Sequence, residues 1–183
     1  DEEENKERSI GSILCSKGIL WVGTFDKGVI KYDNNISTFA HYYRHRNLPG
    51  ELTNNSIHAF SETAGGFWVG TDGGGLNFFD KASRQFTHNE NWSSGKNILS
   101  LMQDSKHNLW IGTYDNGLDV LSENSKTRFH FTVGNKPGQV SNTSIFALKE
   151  DKHGDIWVGI DNGGVNVIHD RTIIRRYQYD RKD

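Results

Sequence analysis

The chain has 183 residues, of which 34% are hydrophobic and 20 are glycine, enough to bury a sizeable core and to make many tight turns. Lysine and arginine number 21 against 23 aspartates and glutamates, with no basic stripe, which excludes the electrostatic footprint of a nucleic-acid binder. No apolar run nears the roughly 18 residues of a membrane span and no signal-peptide pattern is present, so the sequence reads as a soluble protein or as a piece of a longer one that meets a membrane elsewhere.

Residues 1–8 are a charge run without apolar periodicity and read as a linker or chain end. From residue 9 the chain repeats itself. The first repeat, about residues 9–55, holds Ser9-Ile10, then Leu20-Trp21-Val22-Gly23-Thr24, then Gly28-Val29. Its lone cysteine, Cys15, cannot form an internal disulfide and reads as a small buried apolar residue. Tyr42-Tyr43-Arg44-His45-Arg46 follows, an aromatic and basic cluster in which Tyr43 and Arg44 are candidate ligand contacts.

The second repeat, about 56–96, holds Ser56-Ile57, Phe67-Trp68-Val69-Gly70-Thr71 and Gly75-Leu76. Gly73-Gly74-Gly75 lies where the other repeats turn, with no helix after it to offer phosphate-binding amides, and reads as a hairpin. The repeat ends in a loop carrying Trp92, the one tryptophan that the repetition does not explain. An exposed indole there would stack on a sugar ring or an apolar group; the bland alternative is a staple over a blade edge. Ser93-Ser94-Gly95-Lys96 fits a Ser-x-x-Lys nucleophile pattern, but that chemistry needs a helical turn and the segment is a glycine-containing loop.

The third repeat, about 97–143, holds Asn97-Ile98, Leu109-Trp110-Ile111-Gly112-Thr113 and Gly117-Leu118; the fourth, about 144–183, holds Ser144-Ile145, Ile156-Trp157-Val158-Gly159-Ile160 and Gly164-Val165. Successive tryptophans stand 47, 42 and 47 residues apart, a period of propellers, solenoids and arrays. Apolar runs of four to seven residues divided by Gly, Asn, Asp, Ser and Lys are short strands and tight turns; in the fourth repeat they fall at 144–150, 155–160, 164–169 and 172–179. Four strands per repeat make one propeller blade, so the expected fold is all-β: four four-stranded antiparallel blades, half of a larger β-propeller. Trp21, Trp68, Trp110 and Trp157 are then core wedges between blades, and Gly23, Gly70, Gly112 and Gly159 let neighbouring backbones approach. The terminal blades, built around Trp21 and Trp157, each leave one face uncovered, from which a homodimer completing the ring is expected.

The eight histidines show no metal-ligand spacing, and the Asp-rich turns lack the oxygen pattern of a calcium loop, so no metal or cofactor is expected. The motif of an Asn/Ser-Ile start, an acidic-Gly turn as in Glu150-Asp151-Lys152-His153-Gly154, a Trp-(Val/Ile)-Gly-Thr strand and a Gly-Leu strand resembles the two-component regulator propeller repeat. Ile160, in place of Thr, and Leu14-Cys15-Ser16-Lys17, in place of the acidic turn, depart from it. The resemblance implies a non-catalytic, periplasmic sensor segment of a hybrid two-component histidine kinase, answering to oligosaccharides and controlling glycan-use genes, with any membrane contact through other parts of the protein. The alternatives are a propeller enzyme of the polysaccharide lyase or lactonase type, or a peptide-binding scaffold.

Overall fold

The computed structural model describes residues 10–33, 36–46, 48–124 and 126–178; residues 1–8, Ser9 and the end of the expected last strand at Tyr179 lie outside them. Blade 1 comprises β1 (Ile10–Ser16), β2 (Ile19–Thr24), β3 (Val29–Asp33) and β4 (Ile36–Tyr42). Blade 2 comprises β5 (Ile57–Glu62), β6 (Gly66–Thr71), β7 (Gly75–Asp80) and β8 (Gln85–His88). Blade 3 comprises β9 (Ile98–Gln103), β10 (Leu109–Thr113), β11 (Leu118–Leu121) and β12 (Arg128–Phe131). Blade 4 comprises β13 (Ile145–Glu150), β14 (Ile156–Ile160), β15 (Gly164–His169) and β16 (Thr172–Tyr177). Each blade is an antiparallel sheet with its strands in chain order.

The repeated residues each hold a step of this architecture. The glycine after the second strand takes positive φ in every blade (79° at Gly28, 75° at Gly75, 73° at Gly117, 72° at Gly164), a region that costs other residues strain. In three blades the motif threonine ties that hairpin, with Thr24, Thr71 and Thr113 each donating to the carbonyl of the following turn glycine at 2.9 Å. Ile160 cannot make this bond and is buried instead.

A register shift follows the first isoleucine of each blade, at Ile10/Ser12, Ile57/Ala59, Ile98/Ser100 and Ile145/Ala147. Residues two apart normally share a face, so this bulge turns the isoleucine to the opposite side, towards the preceding blade. There it meets the glycine after that blade's tryptophan: a Cβ on Gly23 would stand 2.6 Å from Ile57 Cγ2, one on Gly70 2.6 Å from Ile98 Cγ2, and one on Gly112 2.9 Å from Ile145 Cβ.

Three apolar cores result, one per blade junction. Trp21 packs with Ile57, Phe67 and Phe79; Trp68 with Ile98, Leu109 and Ile111; Trp110 with Ile145, Ile156 and Val158. The first strands pack in the series β1, β5, β9, β13, and among the described residues no packing of that extent joins β13 back to β1, so the four described blades form an open arc.

The expectation for the terminal tryptophans needs correcting. Trp21, Trp68 and Trp110 each face the following blade, so Trp21 is buried at 3% exposure while Trp157, which meets no further blade among the described residues, is 38% exposed. The uncovered face of blade 1 is the opposite one, where Ile13 is exposed and Leu20 and Val22 are half-buried. Cys15 lies at that end and is exposed, contrary to the expected buried thiol.

Candidate functional site

A wedge of space lies beside the tryptophan at each blade junction, and what crosses it differs. At junction 1–2 Ser16 donates to Glu62, which also receives Lys81 Nζ at 2.8 Å, and about 180 Å³ remains open. The hydrogen bonds from Lys81 and then Ser16 hold the Glu62 carboxyl below its ordinary range. At junction 3–4 Ser105 donates to Glu150 and Lys106 pairs with Asp170 at 2.7 Å, leaving about 300 Å³. At junction 2–3 no ion pair crosses the gap among the described residues, and a cleft of about 640 Å³ stays open.

The cause is in the turns. Asp104 and Asp151 begin the turn before the second strand and accept the indole N–H of Trp110 and Trp157 at 2.8 and 2.9 Å. Blade 2 has Thr63 at that point and a turn one residue shorter, closed by Thr63 N donating to Gly66 O where Asp104 N donates to Asn108 O. The Trp68 indole N–H thus has no hydrogen-bond partner among the described residues, and Glu123 stands among the residues that line the same cleft. The Trp68 ring lines the cleft with Phe78 and Trp92, opposite Gln103, His107 and Ser122 of blade 3.

Trp92 is therefore half-buried rather than free-standing. It ends a single 3₁₀ turn, Glu90–Trp92, in which the Asn89 side chain accepts from Asn91 N. Its ring meets Trp68 edge-on, 4.9 Å between centroids at 87°. The following residues are held by a buried carboxylate: Ser94 Oγ donates to Asp119 Oδ2 at 2.7 Å, and His130 Nδ1 stands 2.9 Å from Asp119 Oδ1. Trp92 is at once a staple on Trp68 and a wall of the cleft.

Tyr43 and Arg44 are not brought to it. Tyr43 is exposed beside the rings of His41 and His45. Arg44 donates to the Thr53 carbonyl at 3.0 Å and lines a separate, more polar cleft of about 550 Å³ with His88, Glu90 and Lys96. Ser93-Ser94-Gly95-Lys96 is loop, as expected, with its Ser94 engaged by Asp119.

Sequence reasoning missed the residues that fix the inter-blade loops. Asn77, Asp119 and Asn166 are fully buried on the third strands and clasp the segment entering their own blade, at Thr53, Ser94 and Ser141. The signal was present as an Asn or Asp two residues after each repeat glycine, broken by Ile30 in blade 1.

A family model for the two component regulator propeller matches residues 93–115 and 139–162, which contain the Trp110 and Trp157 phrases. Two of the chain's four repeats match the two-component regulator propeller. The chain is also 31% identical over 125 residues to a protein named Histidine kinase P4 of Formosa agariphila; the match takes in 62% of the chain but only 9% of that protein. Among solved structures, the extracellular domain of a B. thetaiotaomicron protein described as a hybrid two component system superposes over 93% of the chain and 24% of its own, with TM-score 0.76 and 21% identity. Virginiamycin B lyase from Staphylococcus aureus superposes over 98% of the chain and 58% of its own, with TM-score 0.70 and 13% identity. At these identities the two structures establish the propeller fold. The chain spans a small fraction of the kinase and about a quarter of the B. thetaiotaomicron chain.

Proposed function

We propose that the chain is a non-catalytic sensor segment in the periplasmic part of a hybrid two-component histidine kinase, and that it answers to an oligosaccharide and so controls glycan-use genes. The regulator-propeller repeats, the histidine kinase relative and the likeness to an extracellular two-component domain support the signalling half of this reading. The observation that carries the ligand half is the open cleft at junction 2–3. The half-buried rings of Phe78 and Trp92, with the buried Trp68 behind them, give the cleft an aromatic wall of the kind that takes sugar rings, while Gln103, Ser122 and Thr87 offer an amide and hydroxyls to sugar hydroxyls.

The cleft also suits signalling, because its walls belong to two blades. A ligand that touches both favours one spacing of blades 2 and 3 over others, and only such differential affinity can bias a downstream equilibrium. The test is calorimetric titration of the chain with a panel of neutral and acidic oligosaccharides. At least one is expected to bind and to be recovered unchanged, with binding lost in Trp92→Ala. Recovery of shortened or unsaturated sugars would favour the enzyme reading, and heat from none of the panel would remove the saccharide.

A further inference from the structure

The motif tryptophans of blades 3 and 4 give their indole N–H to an aspartate of their own turn, and the tryptophan that lines the open cleft does not. Asp104 accepts from Trp110 Nε1 at 2.8 Å and also from the backbone N–H groups of Lys106 and Asn108. Asp151 accepts from Trp157 Nε1 at 2.9 Å and from the backbone N–H groups of His153 and Asp155. Trp21 has no aspartate in its turn either, but Ser16, Glu62 and Lys81 cross the wedge beside it. Trp68 is only 8% exposed, and its unpartnered N–H belongs to a ring on the wall of a cleft of about 640 Å³. Where the aspartate would stand, blade 2 has Thr63, which with Ala64 lines the same cleft. A ligand oxygen placed there recovers the hydrogen bond that the buried donor lacks.

The rest of the lining selects the kind of oxygen. Among the described residues no lysine or arginine lines the cleft, its one carboxylate is Glu123, and His107 is its remaining titratable side chain. The wedge at junction 1–2 is the reverse, lined by Lys17, Lys31, Lys81 and Arg84. Asp104 and Asp151 tolerate their place because backbone N–H groups of their own turns share the charge. A carboxylate or sulfate carried by a ligand would instead lose its water beside the carboxylate of Glu123 with no counter-charge, which is costly. We propose that the cleft selects an uncharged saccharide, one of whose oxygens accepts the Trp68 N–H in place of the missing aspartate, while Glu123 accepts from the sugar's hydroxyls and turns away uronate- and sulfate-bearing sugars. Trp68 is then a core wedge and a ligand contact at once. This rests on the saccharide reading of the cleft and adds the class of saccharide.

The free chain gives the first test. By nuclear magnetic resonance the Trp68 indole proton should exchange with water about tenfold faster than that of Trp110, which Asp104 holds. Equal protection of the two overturns the proposal. Calorimetry then compares oligosaccharides of one length that are unsubstituted, N-acetylated or uronate-bearing. One of the first two should bind, and which one does tells a hydroxyl from an acetamido carbonyl as the acceptor; the uronate should not bind. Glu123→Lys should weaken the neutral sugar and admit the uronate. Thr63→Asp, which restores the aspartate, should slow exchange at Trp68 and weaken binding about tenfold without lowering the melting temperature. Slowed exchange with unaltered affinity overturns the proposal. A uronate-bearing sugar that binds the wild type and is lost in Trp92→Ala upholds the saccharide reading and overturns this one, whereas heat from none of the sugars removes both.

Discussion

Ile98 Cγ2 stands 2.6 Å from the point where a Cβ on Gly70 would lie, and Ile98 is wholly buried. The contact lies next to Trp68 and sets how closely β9 approaches β6. Gly70→Ala must therefore push two blades apart at a fixed junction, since the clashing atoms are close to the isoleucine backbone rather than at a flexible tip. A loss of about 1–3 kcal/mol is expected from overpacking of this kind. Gly65→Ala, whose added carbon meets nothing within 4 Å, should stay within about 0.5 kcal/mol of wild type. Urea unfolding of the two variants checks the contrast, and equal losses would contradict it.

Trp110 fills junction 3–4 at 4% exposure and gives its indole N–H to the buried Asp104. Trp110→Ala should cost about 3–5 kcal/mol, the range for truncating a large core aromatic. Asp104→Ala strips the acceptor from the indole and from the backbone N–H of Asn108, and about 1–3 kcal/mol is expected for donors left buried without a partner. Chemical denaturation of both variants is the check.

Much of this was legible before any coordinates. The four-fold phrase dictates blades, and the glycines at Gly28, Gly75, Gly117 and Gly164 had to be turns because they recur where the strand pattern breaks. The direction in which a tryptophan faces was not legible, because strand alternation tells which residues share a face but not which neighbouring blade that face meets, and the bulge that turns Ile10, Ile57, Ile98 and Ile145 to the other side leaves no composition signal. That is why Trp21 and Trp157 looked alike and Cys15 looked buried. Trp92 stood out as an exception to the repeat, but its seat on Trp68 joins residues 24 apart in the chain, a contact that no local spacing announces.

Acid should destabilise the fold in a definite window. The Trp157 indole N–H and then the His153 backbone hold Asp151 below its ordinary value, Lys106 does the same for Asp170, and Lys81 with Ser16 for Glu62. A carboxyl with a lowered folded pKa binds fewer protons in the native than in the unfolded state, so its stabilisation is present above the unfolded value and lost as pH falls through the folded one. The stabilisation from these three carboxyls should be complete above about pH 5 and decline below about 4, modestly, because solvent screens exposed pairs. In Glu62→Gln the fall below that point should be shallower; an unchanged slope would contradict the assignment.

Trp92→Ala should not be silent in the absence of ligand. The edge-on contact with Trp68 and its partial burial predict a loss of about 1–2 kcal/mol, below that of a motif tryptophan. Trp92→Phe should restore most of it. Calorimetric melting of the two variants measures the difference.

The cleft at junction 2–3 is where the account is most exposed, and the chain carries its own reporters in five indole N–H groups. Nuclear magnetic resonance of the indole region, followed during titration with the oligosaccharide that binds, reads them separately. Trp68 and Trp92 should shift together and saturate at one stoichiometry, while Trp21 and Trp110, buried at junctions bridged by Ser16–Glu62 and Ser105–Glu150, should stay in place. A bound saccharide that leaves Trp68 and Trp92 unmoved would contradict the site.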